Sequence, residues 1–191
     1  MNKKILFHIC CGPCGTASIQ KLQKEGYKVV GFYYNPNIYP ESEYKKRLYE
    51  AKKLAKELSI KLIVPKYNQD EYFDAVGIGK SAKRLNLSKG STFLIPDKKV
   101  RCPKCWRLRL EKMAEEARRL KVGTIGTTLR ISPYQNQEKL LKIGRKIAEE
   151  YGLEFYSRDL VCEYRHSVEL SKEKQMYRQK YCGCIFSKKR T

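Results

Sequence analysis

Apolar residues along this chain follow two rhythms. Short unbroken runs at 4–9, 27–34, 61–64 and 122–127 read as strands buried on both faces, because a half-solvated strand would alternate. Between them apolar positions recur every three or four residues. Tyr44, Leu48, Ala51, Ala55 and Leu58 predict a helix over 43–58. Trp106, Leu110, Met113, Ala117 and Leu120 predict one over 104–120, and Leu140, Ile143, Ile147 and Tyr151 one over 136–151.

Shorter elements complete the pattern: helices over 16–25, 70–75 and 168–179, and a brief strand at Phe155. The alternation of strand and helix predicts an α/β fold, a three-layer Rossmann-like parallel sheet with right-handed crossovers. One domain over 1–191 is expected. Residues 77–101 interrupt the rhythm with Gly77, Gly79, Gly90 and Pro96 and read as an irregular basic insert, functional by its length.

Composition narrows the class. At 41% hydrophobic and 11% aromatic residues the chain is globular rather than disordered. No apolar run approaches the ~20 residues that span a bilayer, and the opening run is too short for a signal peptide. A cytoplasmic protein is expected, with no membrane partner. The charge adds more: 41 basic against 20 acidic side chains, net +21, is a self-repelling excess that points to a polyanionic partner such as nucleic acid.

Seven of the eight cysteines fall into three tight groups: Cys10, Cys11 and Cys14; Cys102 and Cys105; Cys182 and Cys184. Thiolates are ligands and nucleophiles, and in a reducing compartment such clusters serve metal or redox chemistry. Three readings stand. Cys11-Gly12-Pro13-Cys14 between strand and helix fits a thioredoxin-like dithiol oxidoreductase, although Cys10 precedes it and no tryptophan does. Two C-x-x-C pairs fit a zinc-stabilised nucleic-acid-binding module. Four cysteines fit an iron–sulfur cluster, with thiols left over for catalysis. Cys162, beside Leu160 and Val161, reads as a buried hydrophobe. His8 is either a satisfied core histidine or a functional one.

Several strings together resemble the QueH-type epoxyqueuosine reductases. They are His8-Ile9-Cys10-Cys11-Gly12-Pro13-Cys14, Tyr34-Asn35-Pro36-Asn37-Ile38, Cys102-x-x-Cys105, Thr127-Thr128-Leu129 with Ser132-Pro133, and Tyr177-Arg178-Gln179-x-Tyr181-Cys182-Gly183-Cys184. The resemblance implies a fold like the PP-loop and adenine-nucleotide hydrolase-like proteins. It implies a cobalamin-independent enzyme for the last step of queuosine synthesis, removing the epoxide oxygen of epoxyqueuosine at the tRNA wobble position.

By the same resemblance Cys10, Cys11, Cys102 and Cys105 hold a [4Fe-4S] cluster, and Cys182 and Cys184 are a redox-active, disulfide-capable pair. Cys14, with Cys182 and Cys184, is a candidate ligand of one additional mononuclear iron. An external low-potential donor would supply electrons. Lys83, Arg84, Lys98, Lys99 and Arg101 of the insert are the expected contacts to tRNA. Two features depart from the family pattern: the basic segment before Cys102 is longer, and Tyr134 stands where histidine is expected.

Overall fold

The computed structural model describes residues 3–78 and 96–187. Five parallel strands, β1 (Lys3–His8), β2 (Tyr27–Phe32), β3 (Lys61–Ile63), β4 (Thr124–Thr127) and β5 (Glu154–Phe155), stand in the order β3-β2-β1-β4-β5. Helices α1 (Gly12–Lys24) and α2 (Glu41–Glu57) follow the first two strands. After β3 come α3 (Gln69–Ala75) and α4 (Lys98–Arg119), with α5 (Gln137–Glu150) after β4 and α6 (Tyr164–Glu173) near the end.

Two cores, one on each face of the sheet, explain why the strand sequences are apolar throughout. On β1, Ile5 and Phe7 enter a core with Ile19, Leu22 and Leu54 from α1 and α2. Leu6, between them, points the other way, into Trp106, Leu110, Met113 and Leu140 from α4 and α5. A side chain that alternates faces must be apolar at every position when both faces are covered. Each fully buried leucine or isoleucine contributes roughly 1.5–3 kcal/mol, so the three-layer order is held mainly by this burial.

The chain winds outward from β1 through β2 to β3, then returns to place β4 on the other side of β1. Strand order therefore reverses between β1 and β4. Connections leave in opposite directions there and open a crevice at the carboxyl ends, the usual place for a ligand in such sheets. His8, paired with Phe32 on one side and Thr127 on the other, marks the floor of that crevice.

Three helices differ from expectation. α1 begins at Gly12, not Thr16, because Pro13 in the first turn needs no hydrogen-bond donor and its fixed φ suits a helix start. α4 begins at Lys98, capped by Asp97, whose side chain accepts from the Lys99 N–H at 2.6 Å. Lys98, Lys99 and Arg101 are therefore helical, and the irregular insert ends earlier than expected. Pro103 lies inside α4 and leaves the Lys99 carbonyl without its usual donor, and Lys139 Nζ of α5 donates to it at 3.4 Å. α6 ends at Glu173, since Gln175 turns at φ 48°, so the segment 174–184 is irregular rather than helical to residue 179.

Candidate active site

The first cysteine group sits at the reversal point. The backbone N–H of Cys10 donates to Thr128 Oγ1 at 2.9 Å, and the Thr128 hydroxyl donates to Cys10 Sγ at 3.2 Å. Cys11 is the residue just before α1, and Cys14 lies in its first turn. The glycine between them permits this placement: a Cβ on Gly12 would meet Met176 Cε at 2.6 Å and Glu50 Cβ at 2.8 Å. The sulfurs of Cys10, Cys11 and Cys14 all lie within 4.8 Å of one another.

Three thiols this close cannot all ionise in the absence of a cation. Hydrogen bonds from Cys11, then Cys14, hold Cys10 well below the usual thiol range, and Thr128 adds to the effect. Cys11 and Cys14 are pushed up, chiefly because each shares its proton with Cys10. Proton sharing within the trio therefore favours negative charge on Cys10 over its two neighbours. A bound cation would stabilise all three as thiolates.

The last cysteine group is brought over this trio by a buried clamp. Arg47 Nε donates to Glu43 Oε1 at 2.7 Å, while its Nη1 and Nη2 donate to the carbonyls of Cys182 and Tyr181 at 3.0 and 3.1 Å. Glu43 also accepts from the Tyr177 hydroxyl at 2.6 Å. Gly183, at φ 115°, turns the chain so that Cys182 is exposed to the crevice while Cys184 is buried against Tyr72 and Phe73. Gln179 Nε2 donates to Cys11 Sγ at 3.0 Å, joining the last segment to the first.

Cys102 and Cys105 stand on α4 in reach of the same segment. Burial pushes the Cys105 thiol up to about 12, and Cys182, Cys184 and Cys102 raise it as well. Burial also raises Cys102. Arg109, one turn after Cys105, is the common neighbour of all three groups. Its Nε donates to the Cys105 carbonyl and its Nη1 to Asn35 Oδ1, both at 3.3 Å. Burial lowers its pKa, but the thiols of Cys105, Cys182 and Cys10 outweigh that and raise it.

His8 closes the floor. Its Nε2 faces the Tyr34 carbonyl and Asn35 Oδ1 at 3.2 Å each, so Nε2 carries the proton and Nδ1 accepts from the Thr127 hydroxyl at 2.9 Å. Burial, and then the Arg109 charge, hold its pKa down at about 4. His8 is therefore a neutral, fully partnered core histidine, which decides between its two readings.

Above these groups is a cavity of about 410 Å³. Cys10, Cys14 and Cys182 open into it, with Arg47 and Arg109 in its wall and Tyr134, Tyr164 and Lys180 also lining it. Asn37 Oδ1 and Gln179 Oε1, from two lining residues, are buried without a hydrogen-bond partner among the described residues. Acceptors left this way are suited to a ligand that donates.

The placement of the expected residues is mixed. Among the described residues the compact sulfur group is Cys10, Cys11 and Cys14; Cys105 packs in one apolar cluster with Cys184, while Cys102 and Cys10 both pack against another. Arg101 is not on an open surface: it is buried, its Nη1 donates to the Pro96 carbonyl at 2.7 Å, and its guanidinium lies over the Phe186 ring. Lys98 and Lys99 are exposed, and Lys83 and Arg84 lie outside the described residues. Cys162 is exposed rather than buried, because it falls in a surface 3-10 turn, with Lys21 Nζ 3.9 Å from its sulfur.

Arg47 and Arg109 are functional candidates that pattern reading missed. Arg109 was legible as an anomaly, set between Cys105 and Met113 in an otherwise apolar stripe, whereas Arg47 shares its buried face with Glu43 and Glu50 and gave no such signal.

The sequence profile of the family described as Epoxyqueuosine reductase QueH matches residues 5–190. This chain belongs to that family. The epoxyqueuosine reductase QueH of Thermotoga maritima is 35% identical over 185 residues, covering 96% of this chain and 89% of the relative. That of Dehalococcoides mccartyi is 32% identical over 98% of this chain and 93% of its own length. Among solved structures, the U34-tRNA thiolase NcsA from Methanococcus maripaludis with its [4Fe-4S] cluster superposes with a TM-score of 0.59. It shares 12% identity over 98% of this chain and 62% of that one, a likeness of fold alone. QueH family membership makes the chain an oxidoreductase of the epoxyqueuosine reductase type, here on a five-stranded parallel α/β sheet. No helix among the described residues is long and apolar enough to cross a membrane.

Proposed function

We propose that this protein reduces epoxyqueuosine at the tRNA wobble position to queuosine, in the cytoplasm. The observation that carries the reading is the convergence of cysteines from separate parts of the chain on one cavity at the reversal point, in a chain matched to the family over 5–190. The overall change adds two electrons and two protons to the epoxide and releases its oxygen as water.

The donor set suits a [4Fe-4S] cluster: clustered thiols beside a buried cation. In our reading Cys10 and Cys11 hold it with Cys102 and Cys105, and no cobalamin is needed. When bound, such a cluster supplies electrons one at a time from an external low-potential donor. Cys14, Cys182 and Cys184 are left for a redox-active pair or one additional iron, and Cys14 and Cys182 face the cavity where the epoxide would sit. Asn37 and Gln179 offer acceptors to the hydroxyls of the modified base. Tyr134 and Tyr164, ring centroids 6.1 Å apart and edge to face, give an aromatic wall for a nucleotide drawn out of its loop.

The test is anaerobic reconstitution with iron and sulfide, followed by turnover of epoxyqueuosine-containing tRNA, read as loss of one oxygen from the nucleoside. C102A is expected to lose cluster absorbance and turnover together. C14A is expected to keep the absorbance and lose turnover. The reverse result would transfer the ligand role from Cys102 to Cys14 in the compact trio. Absence of turnover in fully loaded wild-type protein would overturn the assigned reaction.

A further inference from the structure

Two arginines are buried in the wall of the same cavity, and they are compensated differently. Arg47 has a carboxylate partner in Glu43. Arg109 is 2% exposed, and its hydrogen bonds go to a carbonyl and an amide oxygen, with no carboxylate in ion-pair reach among the described residues. Moving an ion out of water costs several kcal/mol even after relaxation. Two neutral acceptors do not offset that. A buried guanidinium held this way is placed to meet negative charge gathered on the sulfurs around it.

The position of Arg109 limits where that charge sits. It shares a cavity wall with Cys10, Cys14 and Cys182, and is bonded to the backbone of Cys105. Asn35 locks it from the other side, since Asn35 Nδ2 donates to the Ile9 carbonyl at 2.9 Å and Asn35 Oδ1 accepts from both His8 and Arg109. The cation is therefore fixed beside sulfur from three separate stretches of the chain.

We propose that Arg109 is the built-in counter-cation of the thiolate-bound cluster, a positioning residue that raises its reduction potential. The proposal rests on the cluster reading of this cavity. A cluster held by four thiolates is net negative, and taking one electron from the external donor makes it more so. A fixed positive charge favours that reduced state and lets the centre accept an electron it would otherwise refuse.

Two variants separate this role from a merely structural one. Arg109→Met keeps the stem and removes the charge; Arg109→Lys keeps the charge and loses the fork. The metal-free R109M protein is expected to melt at or above the wild-type temperature, because a buried cation with no carboxylate partner has been removed. After reconstitution its midpoint potential, from an optical redox titration, is expected to shift negative, and chelators should strip its iron faster. R109K is expected to stay near the wild-type potential.

An unshifted potential in loaded R109M overturns the proposal. So does a metal-free R109M protein that melts lower or fails to fold, since the guanidinium would then be structural. A potential in R109K as low as in R109M overturns the charge account in favour of the hydrogen bonds. Wild-type protein that takes up no iron overturns the cluster reading, and this role with it, before any variant is compared.

Discussion

Gly183 shows how much of the site depends on single residues. Its φ of 115° lies where only glycine rests comfortably, and a Cβ there would meet Arg47 Nη1 at 2.9 Å and Ile38 Cγ1 at 3.0 Å. Gly183→Ala is expected to cost roughly 1–3 kcal/mol in backbone strain. It should also dislodge the guanidinium from the Tyr181 and Cys182 carbonyls. A thermal melt and a turnover assay check this, and wild-type values in both would refute it. The neighbouring clamp predicts a larger effect. Arg47→Met strands a buried Glu43 carboxylate and is expected to destabilise by about 3–5 kcal/mol. Glu43→Gln with Arg47→Met should recover part of the loss, measured by urea unfolding. Equal losses in the single and double variants would show that the ion pair is not what matters.

Among the elements, the helices carry both the legible and the illegible parts of the fold. The apolar stripes of α2, α4 and α5 were plain from spacing, because a helix buried on one side must repeat its apolar positions. Their starts were not. Both α1 and α4 start ahead of the expected positions and take in a proline: Pro13 lies in an opening turn, and the hydrogen bond lost at Pro103 is replaced by Lys139 from another helix. The packing of α5 on β5 is tighter still: a Cβ on Gly144 would meet three atoms of the Phe155 ring at 2.4, 2.5 and 2.7 Å. Gly144→Ala is expected to destabilise by about 1–3 kcal/mol through overpacking. Adding Phe155→Leu should relieve it, as scored by the midpoint of denaturant unfolding. No relief would mean that the strain lies in the helix rather than at the ring.

For the whole molecule, the net charge of +21 is the property that acts at a distance. If tRNA phosphates are its counterpart, affinity must fall steeply with salt. Replacing exposed Lys98 and Lys99 with alanine is expected to reduce the slope of log affinity against log salt by about 1.4–1.8. Arg101→Met should leave the slope alone and lower the melting temperature, because its guanidinium is occupied by Pro96 and Phe186. An unchanged slope in the lysine variant would remove this stretch of α4 from the tRNA path.

The order of strands and helices, two-sided burial of the sheet and the three thiol groups were determined by local sequence. Backbone periodicity and the apolar character of buried strands are local properties. Tertiary structure alone decided which thiols meet. Cys10 depends on Thr128 and Cys11 on Gln179, partners remote in the chain that reach them only because β4 returns beside β1 and the last segment folds over α1. The buried charge of Arg109 is decided in the same way. Its neighbours are set by how the sheet is wound, and no local propensity encodes that.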